Sequence, residues 1–124
     1  MASKVYFTDM RVRMGDSLLK KFDRLITKAG IDTIDFQDKY VAIKLHLGEI
    51  GNLAFLRQQY ARVLCDHIKA RGGRPFLTDC NTLYIGYRNN ALSHLDAAYM
   101  NGYNPLATGV HTIIADGLRG TDER

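Results

Sequence analysis

The chain has 124 residues, 46% of them apolar and 24% charged. These proportions suit one packed domain and exclude a disordered or collagen-like chain. Seventeen Lys and Arg against 13 Asp and Glu leave a formal net charge of +4. That charge is compatible with phosphates or an acidic partner, but with no run of five like charges it argues against a dedicated nucleic-acid binder. No apolar stretch approaches the length of a membrane span, and no apolar leader follows Met1-Ala2-Ser3-Lys4. Two cysteines, Cys65 and Cys80, fit a reducing cytoplasm better than a disulfide framework.

Val5-Tyr6-Phe7-Thr8 is β-branched and aromatic, and predicts a first strand near residues 4–9. Arg11 and Arg13 follow in a loop. Asp16 or Ser17 supplies an N-cap, and Leu18, Leu19, Phe22, Leu25, Ile26 and Ala29 recur at helical spacing before Gly30. The spacing predicts a helix over 17–29. Tyr40-Val41-Ala42-Ile43-Lys44-Leu45 is nearly continuous in its apolarity, as in a strand buried within a parallel sheet, and sets a second strand near 39–46. After a polar loop from His46 to Asn52, the residues Leu53, Leu56, Tyr60, Val63, Leu64 and Ile68 predict a second helix, closed by Gly72-Gly73. Pro75-Phe76-Leu77-Thr78 predicts a third strand near 74–78, with proline at its start, where it is tolerated.

A long polar loop, Asp79 to Asn90, precedes a third helix marked by Ala91, Leu92, Leu95, Ala98 and Tyr99 and stopped by Gly102 and Pro105. A fourth strand is expected near 110–115, followed by a polar tail. Strands alternating with helices (βαβαβαβ) imply an α/β fold: an open, mainly parallel sheet of about four strands with helices on its faces. Residues 1–124 read as a single α/β domain and as the N-terminal part of a longer protein, because four strands is small for this architecture. If so, a contiguous apolar patch should be exposed on a sheet edge or helix flank.

In open parallel sheets, ligands bind beyond the carboxyl ends of the strands. The loops expected there are the polar ones. They carry Thr8, Asp9, Arg11 and Arg13; then Lys44, His46, Gly48 and Glu49; then Asp79, Cys80, Asn81, Thr82 and Tyr84; then Asp116, Gly117 and Arg119. The opposite loops carry turn residues and little else. Lys44, His46, Gly48, Glu49, Asp79, Asn81, Thr82 and Asp116 are therefore the candidate ligand-binding residues, with a small anion as ligand and Gly48 and Gly51 offering backbone N–H groups.

Imidazole and carboxylate both ligate divalent metals, so His46, Glu49 and Asp79 are also a candidate metal set. The simpler reading makes His46 a loop hydrogen-bonding group, Glu49 a helix cap and Asp79-Cys80-Asn81-Thr82 a turn. Cys65 is expected in the core. Tyr84 and Tyr87 either stack on a ring or cover the sheet edge. His67, His94 and His111 show no mutual pattern and receive no role.

Three stretches carry a resemblance. Val41-Ala42-Ile43-Lys44-Leu45-His46-Leu47-Gly48-Glu49, Gly73-Arg74-Pro75-Phe76-Leu77-Thr78-Asp79-Cys80-Asn81-Thr82-Leu83-Tyr84 and Ile114-Ala115-Asp116-Gly117-Leu118-Arg119-Gly120 are similar to the ferredoxin-associated domain-of-unknown-function family number three hundred and sixty-two. Many of its members are iron–sulfur proteins, so the resemblance implies a redox-associated protein with 4Fe-4S clusters. This chain departs from that pattern. It has no Cys-x-x-Cys-x-x-Cys run, and two cysteines fall short of the four that one cluster takes. The clusters implied belong to a module outside this chain.

Three functions follow as expectations. The first is a ligand-binding or catalytic α/β portion of an iron–sulfur redox protein. The second is a metal-dependent enzyme domain using His46, Glu49 and Asp79. The third is a non-enzymatic interaction module. The partners expected are a small anionic ligand and either the remaining portion of the protein or a self-association partner; no membrane is expected, and nucleic acid is disfavoured.

Overall fold

The computed structural model describes residues 2–122. In chain order these form α1 (Leu18–Ala29), a 3-10 turn (Ile31–Thr33), β1 (Tyr40–Lys44), α2 (Gln58–Lys69), β2 (Arg74–Asp79), α3 (Ala91–Met100), α4 (Pro105–Thr108) and β3 (Thr112–Ile114). The helix ends follow capping chemistry. The Ser17 hydroxyl accepts the Lys20 N–H at the start of α1, and Gly30, at φ 100°, closes its end. Asn90 caps α3 through the Ser93 N–H, and Asn104 caps α4 just ahead of Pro105.

The three strands are parallel in the order β1-β2-β3. Val41 pairs with Pro75, Ile43 with Leu77, and Leu77 with Thr112. Strand alternation puts these residues on one face. That face forms the core: Leu77 and Ile114 cluster with Ala61 and Cys65 of α2, Ala91 and Ala98 of α3, and Leu47, Tyr103 and Val110, with Ile43 packed alongside. Both crossover helices thus lie on the same face. A strand order that advances in one direction requires this, since right-handed crossovers then all pass on the same side. The other face presents Tyr40, Ala42, Phe76 and Ile113, and Tyr40 and Ile113 are 75% and 50% exposed.

The α/β class and the parallel sheet match expectation; some elements differ. Residues 4–9 form no strand. Val5 and Phe7 are 88% and 84% exposed. Strand propensity measures fit to a sheet surface, and here the segment is fixed elsewhere: the Lys21 ammonium donates to the Asp9 carbonyl (2.9 Å), the Asp9 carboxylate (2.5 Å) and the Arg11 carbonyl (2.7 Å).

The second helix begins at Gln58 rather than near Leu53, and both Leu53 and Leu56 are exposed. Asn52 Oδ1 accepts the Ala54 N–H (2.9 Å), forming a turn, and Arg57 is extended. The Tyr103 hydroxyl, buried in the core, donates to the Leu56 carbonyl and holds this loop down. The last strand is shortened to Thr112–Ile114 because Pro105–Thr108 forms a helical turn closed by Gly109 in the left-handed region. Among the described residues, no helix is long and apolar enough to cross a membrane.

Candidate functional site

Asp79, the last residue of β2, organises the carboxyl ends of the strands. Its side chain lies on the core face and is buried. Oδ1 accepts from the Lys44 ammonium at the end of β1 (2.8 Å) and from the Cys80 N–H (2.9 Å). Oδ2 faces the Leu47 N–H and the Arg88 guanidinium, both at 3.4 Å. His94 Nε2 of α3 stands 3.5 Å from Oδ2, at ion-pair rather than hydrogen-bond distance. Burial alone would raise the Asp79 carboxyl, but His94, Lys44 and the Cys80 N–H outweigh it and hold it well below the usual carboxylate range.

Arg88 carries this charge to the neighbouring loop. It is buried, and its Nε donates to Glu49 (3.0 Å) while its second amino group donates to the Tyr84 hydroxyl (2.9 Å). The Tyr84 hydroxyl in turn donates to Glu49 (3.2 Å). Burial pushes the Glu49 carboxyl up, and the bonds from Arg88 and Tyr84 bring it below its ordinary value. Lys44 and Arg88 therefore balance Asp79 and Glu49 in charge. A buried carboxylate persists only with such pairing.

The loop between β1 and α2 needs glycine at position 48. Its φ is 87°, and a Cβ there would lie 2.5 Å from Asn101 Nδ2 and 2.8 Å from the Phe55 ring. Asn101 uses that closeness: Nδ2 donates to the Leu47 carbonyl (3.1 Å) and the Gly48 carbonyl (2.9 Å). The Gly48 N–H donates to His46 Nδ1 (3.0 Å), which leaves the proton on Nε2 in the neutral ring. His46 is exposed and joins neither carboxylate.

A second hub ties the loop after β2 to the loop after β3. The Asn81 N–H and side-chain amide both donate to Asp116 (2.9 Å each), and the amide also reaches the Gly117 carbonyl (2.9 Å). Thr82 folds its own loop: its N–H donates to the Arg88 carbonyl (2.9 Å) and its hydroxyl to the Tyr84 carbonyl (3.2 Å).

Lys44 thus meets Asp79 directly, Glu49 is linked to Asp79 through Arg88, and Asn81 meets Asp116. Gly48 shapes the first loop, while His46 stands apart. Groups at the strand ends that still face solvent include Lys44, with a side chain 62% exposed, His46, Cys80, Tyr84 and Arg119. Lys44 spends one of its three donors on Asp79.

His46 is not brought together with Glu49 and Asp79. Among the described residues no group of three or more His, Cys, Asp or Glu is arranged to hold a metal. Both carboxylates instead face Arg88. Nor do the cysteines fit a cluster: Cys65 lies fully buried in α2, where burial pushes its thiol up to about 11, and Cys80 alone is exposed.

Arg88 and His94 were not legible as site residues. Arg88 is the one basic residue between Asp79 and Asn90, and a lone cation in a loop next to a strand-end carboxylate is the signal that points to it. His94 is fully buried, with neither ring nitrogen hydrogen-bonded; its helical position gave no sign of that. A cavity of about 500 Å3 lies at the opposite, amino ends of the strands, lined by Tyr40, Arg74, Phe76 and Ile113 among others.

Comparison with curated proteins and with solved structures finds no match. A family model described as a domain of unknown function, DUF362, matches residues 41–124. The match begins at Val41 in β1 and takes in both strand-end hubs, while α1 and the segment before it fall outside. With more than half of its length matched, including all three of the motifs that carry the resemblance, this chain belongs to the DUF362 family.

Proposed function

We propose that this domain binds a small anion at the carboxyl ends of its strands, as the ligand-binding α/β portion of an iron–sulfur redox protein. The observation that carries the anion is Lys44: its ammonium is fixed by a buried, charge-balanced Asp79 yet keeps two donors toward solvent. The His46 Nε2–H and the Cys80 thiol flank the same strand ends. Strand-end loops are the usual ligand position in open parallel sheets.

The probe is oxalate, titrated calorimetrically into the chain, with inorganic phosphate as a second anion. Lys44→Gln is expected to weaken binding at least about tenfold, the loss of one charge-assisted contact. Lys69→Gln, at the far end of the strands, should leave it unchanged. No heat with either anion, or equal affinity in Lys44→Gln, contradicts the reading.

The iron–sulfur part rests on the resemblance of the three motifs. Four thiolates usually hold one cluster, and one exposed cysteine cannot provide them, so the clusters of this reading sit on another module. Anaerobic incubation of the chain with ferrous iron and sulfide should leave no visible chromophore after desalting. A stable chromophore on this chain alone would contradict that placement.

A further inference from the structure

We propose that the helix-free face of the sheet is a docking surface for one acidic amphipathic α-helix of a partner polypeptide. Parallel sheets normally have both faces covered, and here α2 and α3 share one face. The other face carries Tyr40, Ala42, Phe76 and Ile113 in neighbouring register positions: Ala42 pairs with Phe76, and Tyr40 with Arg74. Tyr40 and Ile113 are 75% and 50% solvent-exposed, and a cavity of about 500 Å3 lies beside them. Three strands place the outer two about 10 Å apart, which is about the diameter of one helix with its side chains. One helix laid along the strands therefore covers the apolar stripe.

The charge around that stripe selects the occupant. Lys69, Arg74 and His111 line the cavity, and no Asp or Glu does. Neither Lys69 nor Arg74 has a carboxylate partner among the described residues. Lys69 donates to the Gly109 carbonyl, and Arg74 lies over the Tyr40 ring at 5.5 Å. A second copy brought face to face would oppose these cations with the same cations. The chain's own N-terminal segment is also basic on balance, with Lys4, Arg11 and Arg13 against Asp9 and Asp16, and the polar side of α1 carries Lys20, Lys21, Arg24 and Lys28 against Asp23. An apolar helix face flanked by Glu or Asp meets both the stripe and its rim.

The test uses two labelled synthetic helices of about 18 residues with the same Leu/Ala face, one with Glu and the other with Lys on its polar side. Binding to the intact chain is followed by fluorescence anisotropy, with a neutral dye. The Glu peptide should bind at least ten times tighter than its Lys twin. Ile113→Ser and Tyr40→Ser, each at an exposed side chain, should each weaken it at least fivefold with unchanged melting temperature. Arg74→Glu should reduce or reverse the preference between the twins. Equal affinity for the twins, no binding of either, or indifference to both serine variants would overturn the proposal. So would a dimer in sedimentation that Ile113→Ser dissociates, since the occupant would then be a second copy.

Discussion

Asp79 is where the chain concentrates its electrostatic risk. Its carboxylate is buried beside two cations, one of them buried as well. Such a pair adds little against an apolar replacement, but removing one member leaves the other charged and unpaired. Asp79→Asn is therefore expected to cost about 3 kcal/mol at neutral pH, read from urea unfolding. The sign of the pH dependence follows from the depressed carboxyl. A group held below its unfolded value contributes in full above that value and loses the contribution as pH falls toward the folded one. The gap between the two proteins should stay constant down to about pH 4, the unfolded value for Asp, and narrow below it. Equal unfolding midpoints at pH 7 would show that Asp79 is not the hub.

At the scale of elements, legibility tracked local chemistry. The α1 boundaries were readable because Ser17 and Gly30 cap by themselves, without help from the rest of the chain. The strand at Tyr40–Lys44 was readable from its β-branched, apolar run, but its burial was not: it is an edge strand whose Tyr40, Ala42 and Lys44 are exposed, because among the described residues no helix covers that face. Val5–Thr8 and Leu53–Leu56 were misread because their outcome is set by partners far along the sequence: Lys21 for the first, Tyr103 for the second. The strand-end grouping of Lys44, Glu49 and Asp79 was legible from topology alone; its connector, Arg88, was not, since a loop arginine is usually solvated.

α1 is also tied to the rest of the fold by polar contacts. It has no fully buried residue. His67 of α2 reaches Asp23 of α1 (3.2 Å) through Nδ1 and Asp32 of the following turn (2.7 Å) through Nε2, and Arg71 also pairs with Asp32 (2.6 Å). Phe22 meets Tyr60 edge-to-face at 5.4 Å. His67→Gln should speed hydrogen exchange of α1 amides about tenfold, the scale of one charge-assisted bond, while β2 amides keep their protection. Equal acceleration in α1 and β2 would mean that His67 stabilises the whole fold and not the docking of α1.

Across the molecule, strand order assigns the surfaces their roles. A sheet advancing β1-β2-β3 places both crossovers on one face and leaves the other apolar and basic-rimmed. The same parallel arrangement gathers the polar loops at the carboxyl ends, where the two hubs form within the part of the chain matched by DUF362. The binding of a small anion at that edge is tested most directly by amide chemical-shift mapping of the labelled chain titrated with oxalate. The account predicts saturable shifts concentrated at residues 44–49 and 79–82, absent in Lys44→Gln. Shifts centred on Arg74 and His111 at the amino ends of the strands, or none at saturating oxalate, would contradict it.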